Sequence, residues 1–170
     1  MDFIKTDITE LKESFTKMIR DDWALLTAGE QGSFNTMTVS WGGAGELWKK
    51  DVAFVFVRPQ RYTYEFLQEH DIFTLSFFDS SYKQKLTICG RQSGRDIDKV
   101  SQCGFNPISL DGGVCFDEAK TVIVCKKLAF QDIDPKGFIS DEIANNYSNN
   151  DYHRVFIGEI IGVYEKKQKN

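Results

Sequence analysis

Arg154-Val155-Phe156-Ile157-Gly158-Glu159-Ile160-Ile161-Gly162-Val163-Tyr164-Glu165 reads as one long strand, and it decides the fold class. Val155, Ile157, Glu159, Ile161 and Val163 fall on one face at period two, and Phe156, Gly158, Ile160, Gly162 and Tyr164 on the other. Two glycines on one face mark a bend or a close backbone approach, as a small closed barrel requires. Val52-Ala53-Phe54-Val55-Phe56-Val57 is apolar on both faces, which suits a strand covered on both sides, such as a barrel wall under a helix. Further strands follow at Trp23–Gly29, Phe34–Trp41 and Ile72–Phe78. Gly112-Gly113 signals a turn, with Val114–Phe116 and Lys120–Ile133 as the arms of a hairpin. Seven or so strands with few helices predict a mainly β fold, a β-barrel with peripheral helices, in one domain spanning residues 1–170.

The helices are short. Ile8, Leu11, Phe15, Met18 and Ile19 recur at helical spacing, and Asp7 with Glu10 forms a capping box, so an amphipathic helix is expected over Thr9–Asp21. Arg61–Glu69 and Tyr82–Cys89 read as helices, and Asp96–Ser101 as a brief one.

Composition removes several classes of function. Twenty-one Lys and Arg against twenty-five Asp and Glu give a net charge of −4, without the basic face that nucleic acid requires. No apolar run approaches the roughly 20 residues of a membrane span. Met1–Asp7 lacks the basic and apolar regions of a signal peptide, so the expected location is the cytoplasm. Cys89, Cys103, Cys115 and Cys125 show no metal-ligand spacing and read as reduced core thiols. The sequence carries no Gly-x-Gly-x-x-Gly, phosphate-loop, Gly-x-Ser-x-Gly or His-Glu-x-x-His motif.

Two stretches carry ligand chemistry. In Asn35-Thr36-Met37-Thr38-Val39-Ser40-Trp41-Gly42-Gly43, the hydroxyls of Thr36, Thr38 and Ser40 share one strand face and run into glycines that admit close backbone approach. The same residues also suit a half-exposed edge strand. Val57-Arg58-Pro59-Gln60-Arg61-Tyr62-Thr63 places two guanidiniums beside a threonine at a helix start, an arrangement that fits a phosphate and equally a solvated arginine pair. Arg95 and Lys99 either form a solvated face or close over an anion. Of the two histidines, His70 reads as a surface residue at a helix end, and His153 either as the one candidate proton donor or as a cap on the last strand.

Five fragments in order resemble the flavin reductase-like, FMN-binding split-barrel family. They are Asn35–Gly42, Val57–Thr63, Phe73-Thr74-Leu75-Ser76-Phe77-Phe78, Cys89-Gly90 leading to Ser93-Gly94-Arg95-Asp96-x-Asp98-Lys99, and His153-x-x-Phe156-Ile157-Gly158-Glu159-Ile160. The resemblance implies a flavin reductase-like split β-barrel, a homodimer, FMN near the subunit interface and NAD(P)H as electron donor. Carried over, it puts Asn35, Thr36, Met37, Thr38 and Ser40 along the isoalloxazine and ribityl chain, with Trp41 near the ring. Arg58, Arg61 and Thr63 would hold the phosphate. Ser76, Phe77 and Phe78 would face the flavin, Ser81, Tyr82 and Lys85 would close over its phosphate end, and His153 would lie near the ring as the catalytic residue. Trp41-Gly42-Gly43 departs from the small residues found after this motif in reductases that exchange free flavin, and a bulky indole favours tightly held FMN. That departure leaves open a flavoredoxin-like electron carrier, and a non-catalytic flavin-binding module is a further alternative. Haem is disfavoured by the scarcity of histidine.

Overall fold

The computed structural model describes residues 2–167. Its strands are β1 (Phe3–Thr6), β2 (Ala24–Glu30), β3 (Ser33–Val39), β4 (Gly42–Leu47), β5 (Lys50–Val57), β6 (Ile72–Phe77), β7 (Pro107–Leu110), β8 (Gly113–Phe116), β9 (Thr121–Asp132) and β10 (Arg154–Lys166). The helices are α1 (Phe15–Lys17), α2 (Tyr62–Glu69), α3 (Lys83–Arg91) and α4 (Lys99–Cys103). An antiparallel sheet runs in the order β3-β2-β6-β9-β10-β5-β4, with β1 added to β10. Its two end strands, β3 and β4, are consecutive in the chain, joined through Ser40 and Trp41 and not by a ladder. Met37, Val39, Val55, Leu26, Leu75, Ile123 and Phe156 form one buried cluster from six strands, so the sheet wraps around a single interior. This is the split barrel.

The long strand β10 holds the fold together by pairing with β9, β5 and β1. Both of its glycines mark irregularities against β9, at Ile157/Gly158 and Ile160/Gly162. The second leaves Ile161 unpaired, which shifts the alternation. Val163 therefore joins Phe156 in the barrel interior, and Ile161 packs with the outer cluster, where strict period two had set Ile161 and Val163 on one face. At Gly158 a Cβ would lie 2.7 Å from the Phe73 ring and 2.8 Å from Cys125 Cβ, so the strand approaches β6 and β9 more closely than any side chain allows.

Two other expectations need correction. Residues 9–21 do not form one helix: a 3₁₀ turn at Ile8–Glu10 is capped by Asp7, and a second start at Ser14 leads through α1 into a π-helical segment, Met18–Asp22. The apolar spacing is used, since Ile8, Leu11, Phe15, Met18 and Ile19 all pack on the barrel core. Two polar caps so close together favour two short starts over one continuous helix. Second, β8 pairs with β7 across the Asp111-Gly112 turn, not with β9. Gly42–Leu47, for which the sequence pattern predicts no element, is also a strand. Gly43 lies under the Phe54 ring, where a Cβ would collide, and the β4–β5 turn is made by Trp48 and Lys49 at φ 55° and 58°. That turn lacks the Asn-Gly signature expected for such geometry, which is why it is hidden in the sequence.

Candidate functional site

The site grows from an unpaired edge. Because β3 ends the sheet, its outer side has no ladder partner among the described residues, and its backbone N–H and C=O groups there are available to a ligand. Met37 and Val39 point into the barrel core. The outward hydroxyls are already committed: Thr36 Oγ1 donates to the Leu26 carbonyl at 3.2 Å and lies 2.9 Å from Thr27 Oγ1, and Thr38 Oγ1 donates to the Leu86 carbonyl on α3. The hydroxyl face thus clamps β3 to its neighbours, and the free polar groups of this strand are those of its backbone. Ser40 and Trp41 are exposed where the chain leaves β3.

A cavity of about 230 Å³ opens beside this edge, lined by Thr38, Ser40, Trp41, Phe56, Arg58, Arg61 and His153, with Met37 and Val39 at its floor. Residues far apart in sequence therefore converge on one space. Trp41 and His153 lie 5.2 Å apart between ring centres, and Phe56 meets the same imidazole edge-on at 6.3 Å.

The two arginines play different parts. Arg58 is paired, with Nη1 2.6 Å from Asp151 Oδ2, Nη2 donating to the Asn146 carbonyl at 2.9 Å, and its guanidinium 5.2 Å above the Tyr147 ring. Arg61 follows the turn Arg58-Pro59-Gln60-Arg61, closed by Arg61 N–H donating to the Arg58 carbonyl at 3.1 Å. Its half-buried guanidinium has no acceptor among the described residues. Burial, and then the neighbouring Arg58, lower its pKa. An unpaired, partly desolvated cation is costly unless an anion meets it.

A second cavity of about 90 Å³ continues from the first past Met37 and Arg61 to Asn35, Thr63, Arg91, Ser93, Gly94 and Lys99. Asn35 Nδ2 donates to Thr63 Oγ1 at 2.7 Å, fixing both. Gly94 runs so close over β3 that a Cβ would strike Asn35 Oδ1. Lys99 is only 4% exposed, and its Nζ donates to the Cys89 carbonyl at 3.1 Å. Burial brings its pKa down to about 8, and the charge of Arg61 pushes in the same direction. Arg61, Arg91 and Lys99 thus meet in a cavity lined by no carboxylate.

Other expected residues lie elsewhere. Ser76 is buried with an unpartnered hydroxyl, Phe77 packs inside the barrel against Phe15, and Phe78 belongs to the outer core with Phe105 and Phe116. Ser81 is exposed, Tyr82 stacks on Phe105, and Lys85 sits over the Tyr82 and Phe105 rings. None of these six lines the two cavities. Arg95 pairs with Glu65 and covers the Tyr62 ring at 4.6 Å.

His153 is 7% exposed, with Nδ1 2.8 Å from the Tyr147 hydroxyl. Burial, with Arg58 adding to it, lowers its pKa to about 4. The ring is therefore uncharged at pH 7. Tyr147 escaped the sequence reading because it sits in an Asn- and Ser-rich loop with no periodicity. Arg91 escaped as well, and Lys99 was noted only as an alternative to a solvated face, although its place after the Asp98 cap aims it inward. Among the described residues no group of three metal-ligating side chains converges, and no helix is long and apolar enough to cross a membrane.

The sequence profile of the flavin reductase like domain matches residues 19–170. The chain belongs to that family. Among solved structures, it is similar to an FMN-binding domain of a flavin reductases-like enzyme from Shewanella baltica, at 20% identity and TM-score 0.69, over 96% of this chain and 77% of that one. It is also similar to flavoredoxin from Methanosarcina acetivorans, at 23% identity and TM-score 0.67, over 86% and 69%. A third likeness is to an NADH:FAD oxidoreductase of Streptomyces globisporus, at 14% identity and TM-score 0.63, over 85% and 75%. A search of curated proteins returned no match.

Proposed function

We propose that this flavin reductase-like protein binds FMN along the β3 edge and works as an oxidoreductase, taking electrons from NAD(P)H, as a cytoplasmic homodimer. The observation that carries the reading is the unpartnered Arg61 guanidinium, set between an aromatic-walled cavity and a second, cation-lined one. The residues fit the group. The free backbone groups of β3 suit the hydrogen-bonding edge of an isoalloxazine, with Trp41 and Phe56 as apolar walls. The ribityl chain would pass Met37, and the phosphate would meet the buried Lys99, the half-buried Arg61 and the exposed Arg91, and burial of the first two strengthens their charge-assisted hydrogen bonds. Arg58, held by Asp151, contributes long-range charge.

Bound FMN would supply hydride and single-electron chemistry that no side chain of this chain offers. The protein's own task is orientation and exclusion of water. His153, kept neutral, would act as a hydrogen-bond donor through Nε2 in the tautomer whose Nδ1 accepts from the Tyr147 hydroxyl. That role needs no imidazolium.

One observation favours a second reading. Trp41 is 46% exposed at the mouth of the cavity, positioned to cover a permanently held cofactor, as suits a flavoredoxin-like carrier served by a protein donor. Steady-state NAD(P)H oxidation by the FMN-loaded protein decides between them. Turnover supports the reductase, whereas bound FMN without turnover supports the carrier. Failure to bind FMN removes both.

A further inference from the structure

The loop that carries the chain from β9 to β10 is polar and mostly exposed, with one exception. Of the described residues 134–152, Tyr147 alone is buried. Burying a tyrosine in an Asn- and Ser-rich turn needs walls, and three are present: Phe138 stacked at 5.9 Å and Tyr152 at 5.0 Å between ring centres, and the Arg58 guanidinium at 5.2 Å. The backbone is tied as well. Tyr147 N–H donates to the Ala144 carbonyl at 3.0 Å, and its own carbonyl accepts from Asn150 N–H at 3.1 Å, with Asn150 at φ 54°. The ring is therefore held on every side, with its hydroxyl 2.8 Å from His153 Nδ1.

Which atom carries the shared proton follows from satisfying both groups. The Tyr147 hydroxyl has no other partner among the described residues, so a proton on Nδ1 would leave the phenolic hydrogen without an acceptor in a buried place. Donation by the hydroxyl to a bare Nδ1 leaves nothing unpaired there. Asp151, the carboxylate closest in the chain, is already taken: its Oδ2 meets Arg58 Nη1 at 2.6 Å and accepts from Gln60 Nε2 at 2.7 Å. On the far side of the ring, Nε2 has no partner among the described residues. It is not sealed in the interior as the Ser76 hydroxyl is, so it opens on the cavity beside Trp41 that His153 lines.

We infer that Tyr147 is a positioning residue: by donating to Nδ1 it holds His153 as the Nε2–H tautomer and presents that N–H to the cavity, which selects a ligand carrying an acceptor there, a carbonyl oxygen or an unprotonated ring nitrogen. The inference rests on the flavin reading for the ligand alone; the tautomer belongs to the protein. A ligand that offers an N–H or O–H at the same point sets donor against donor and is refused.

Two measurements test it. The chain has two histidines, so ¹⁵N-labelled histidine gives two rings and His70→Gln leaves one. In ligand-free protein at pH 7, the His153 spectrum is expected to show the proton on Nε2 and a bare, hydrogen-bonded Nδ1. A proton on Nδ1 overturns the inference, even if no variant folds. Tyr147→Phe keeps the ring within its walls and removes the donor, and it is expected to shift the Nδ1 signal away from its hydrogen-bonded position; an unmoved signal overturns the inference. The second measurement is a double-mutant cycle on FMN affinity, read by flavin fluorescence. Tyr147→Phe is expected to weaken FMN binding about three- to tenfold, the worth of one hydrogen bond. In the His153→Leu background the same change is expected to have no effect beyond about twofold, because Tyr147 acts through the imidazole. Equal losses in both backgrounds reveal a structural part only and overturn the inference, as does an unchanged affinity in Tyr147→Phe alone. Protein that binds no FMN yet shows the expected tautomer removes the flavin reading and leaves the positioning of His153 by Tyr147 standing.

Discussion

Replacing Arg61 with methionine should move the protein in opposite directions with and without ligand. In the empty protein the guanidinium is half-buried, has no acceptor among the described residues and lies near Arg58, so its pKa is depressed. An unsatisfied buried polar group costs about 1–3 kcal/mol, and partial exposure places Arg61 near the lower end. Methionine keeps the apolar stem and removes the charge. Arg61→Met is therefore expected to stabilise the empty protein by about 1 kcal/mol, a rise in Tm of about 2–4 °C for a chain of this size. With FMN the balance reverses. Loss of a charge-assisted hydrogen bond costs about 1.5–3 kcal/mol of binding, a factor of about 10–100 in Kd. At FMN near 100 times the wild-type Kd, the wild type gains about 2.7 kcal/mol from ligand and the variant much less. Thermal melts of both proteins, with and without FMN, should show the order of Tm values inverting on addition. A variant less stable than wild type when empty, or an order unchanged by FMN, would refute the reasoning.

Three further outcomes follow from the same electrostatics. Lys99 has its pKa lowered to about 8, so FMN affinity is expected to fall as pH rises through that value and the ammonium is lost; in Lys99→Met the titration should be weaker and flat over the same range. His153 has a folded pKa of about 4 against an ordinary 6.5. Between those values the unfolded chain takes up a proton that the fold refuses, so stability falls with pH; urea melts at pH 7 and pH 5 should show a larger loss for wild type than for His153→Leu, and parallel losses would remove burial as the cause. Burial pushes the thiols of Cys89 and Cys115 up to about 12 and that of Cys125 up as well. The native protein is therefore expected to resist a thiol reagent at pH 8 and to react at all four cysteines once unfolded, and fast labelling of native protein would contradict that burial.

The barrel was legible because its strands announce themselves. Val52–Val57 is apolar on both faces and proves to be a barrel wall whose Ala53, Val55 and Val57 face the core, while Phe54 and Phe56 on the other face are only half-buried, and the glycines of the last strand fall where its pairing with β9 becomes irregular. What stayed hidden was tertiary. Gly42–Leu47 carries almost no strand-forming residue and is a strand because Phe54 fills the space over Gly43. The partner of β8 depended on which of two apolar runs lay nearer, a question that local pattern does not answer. For the site, the turn through Arg58 and Arg61 was legible from a proline beside two arginines. That one guanidinium would be claimed by Asp151 and the other left free was not, because Asp151 lies ninety-odd residues away in a loop without pattern. The hydroxyls of Thr36 and Thr38 were conspicuous in sequence and turn out to be occupied by β2 and α3, so the free polar groups of β3 are backbone groups that every sequence possesses.

The central claim is that the cations at Arg61 and Lys99 hold the phosphate of a flavin whose ring lies against β3. Titrating ligand-free wild-type protein with FMN and with riboflavin tests it most directly, since the two differ only in that phosphate. The account expects FMN to bind more tightly than riboflavin by a factor of about 100, the worth of a few charge-assisted hydrogen bonds after desolvation. Equal affinities, or no binding of either, would contradict it.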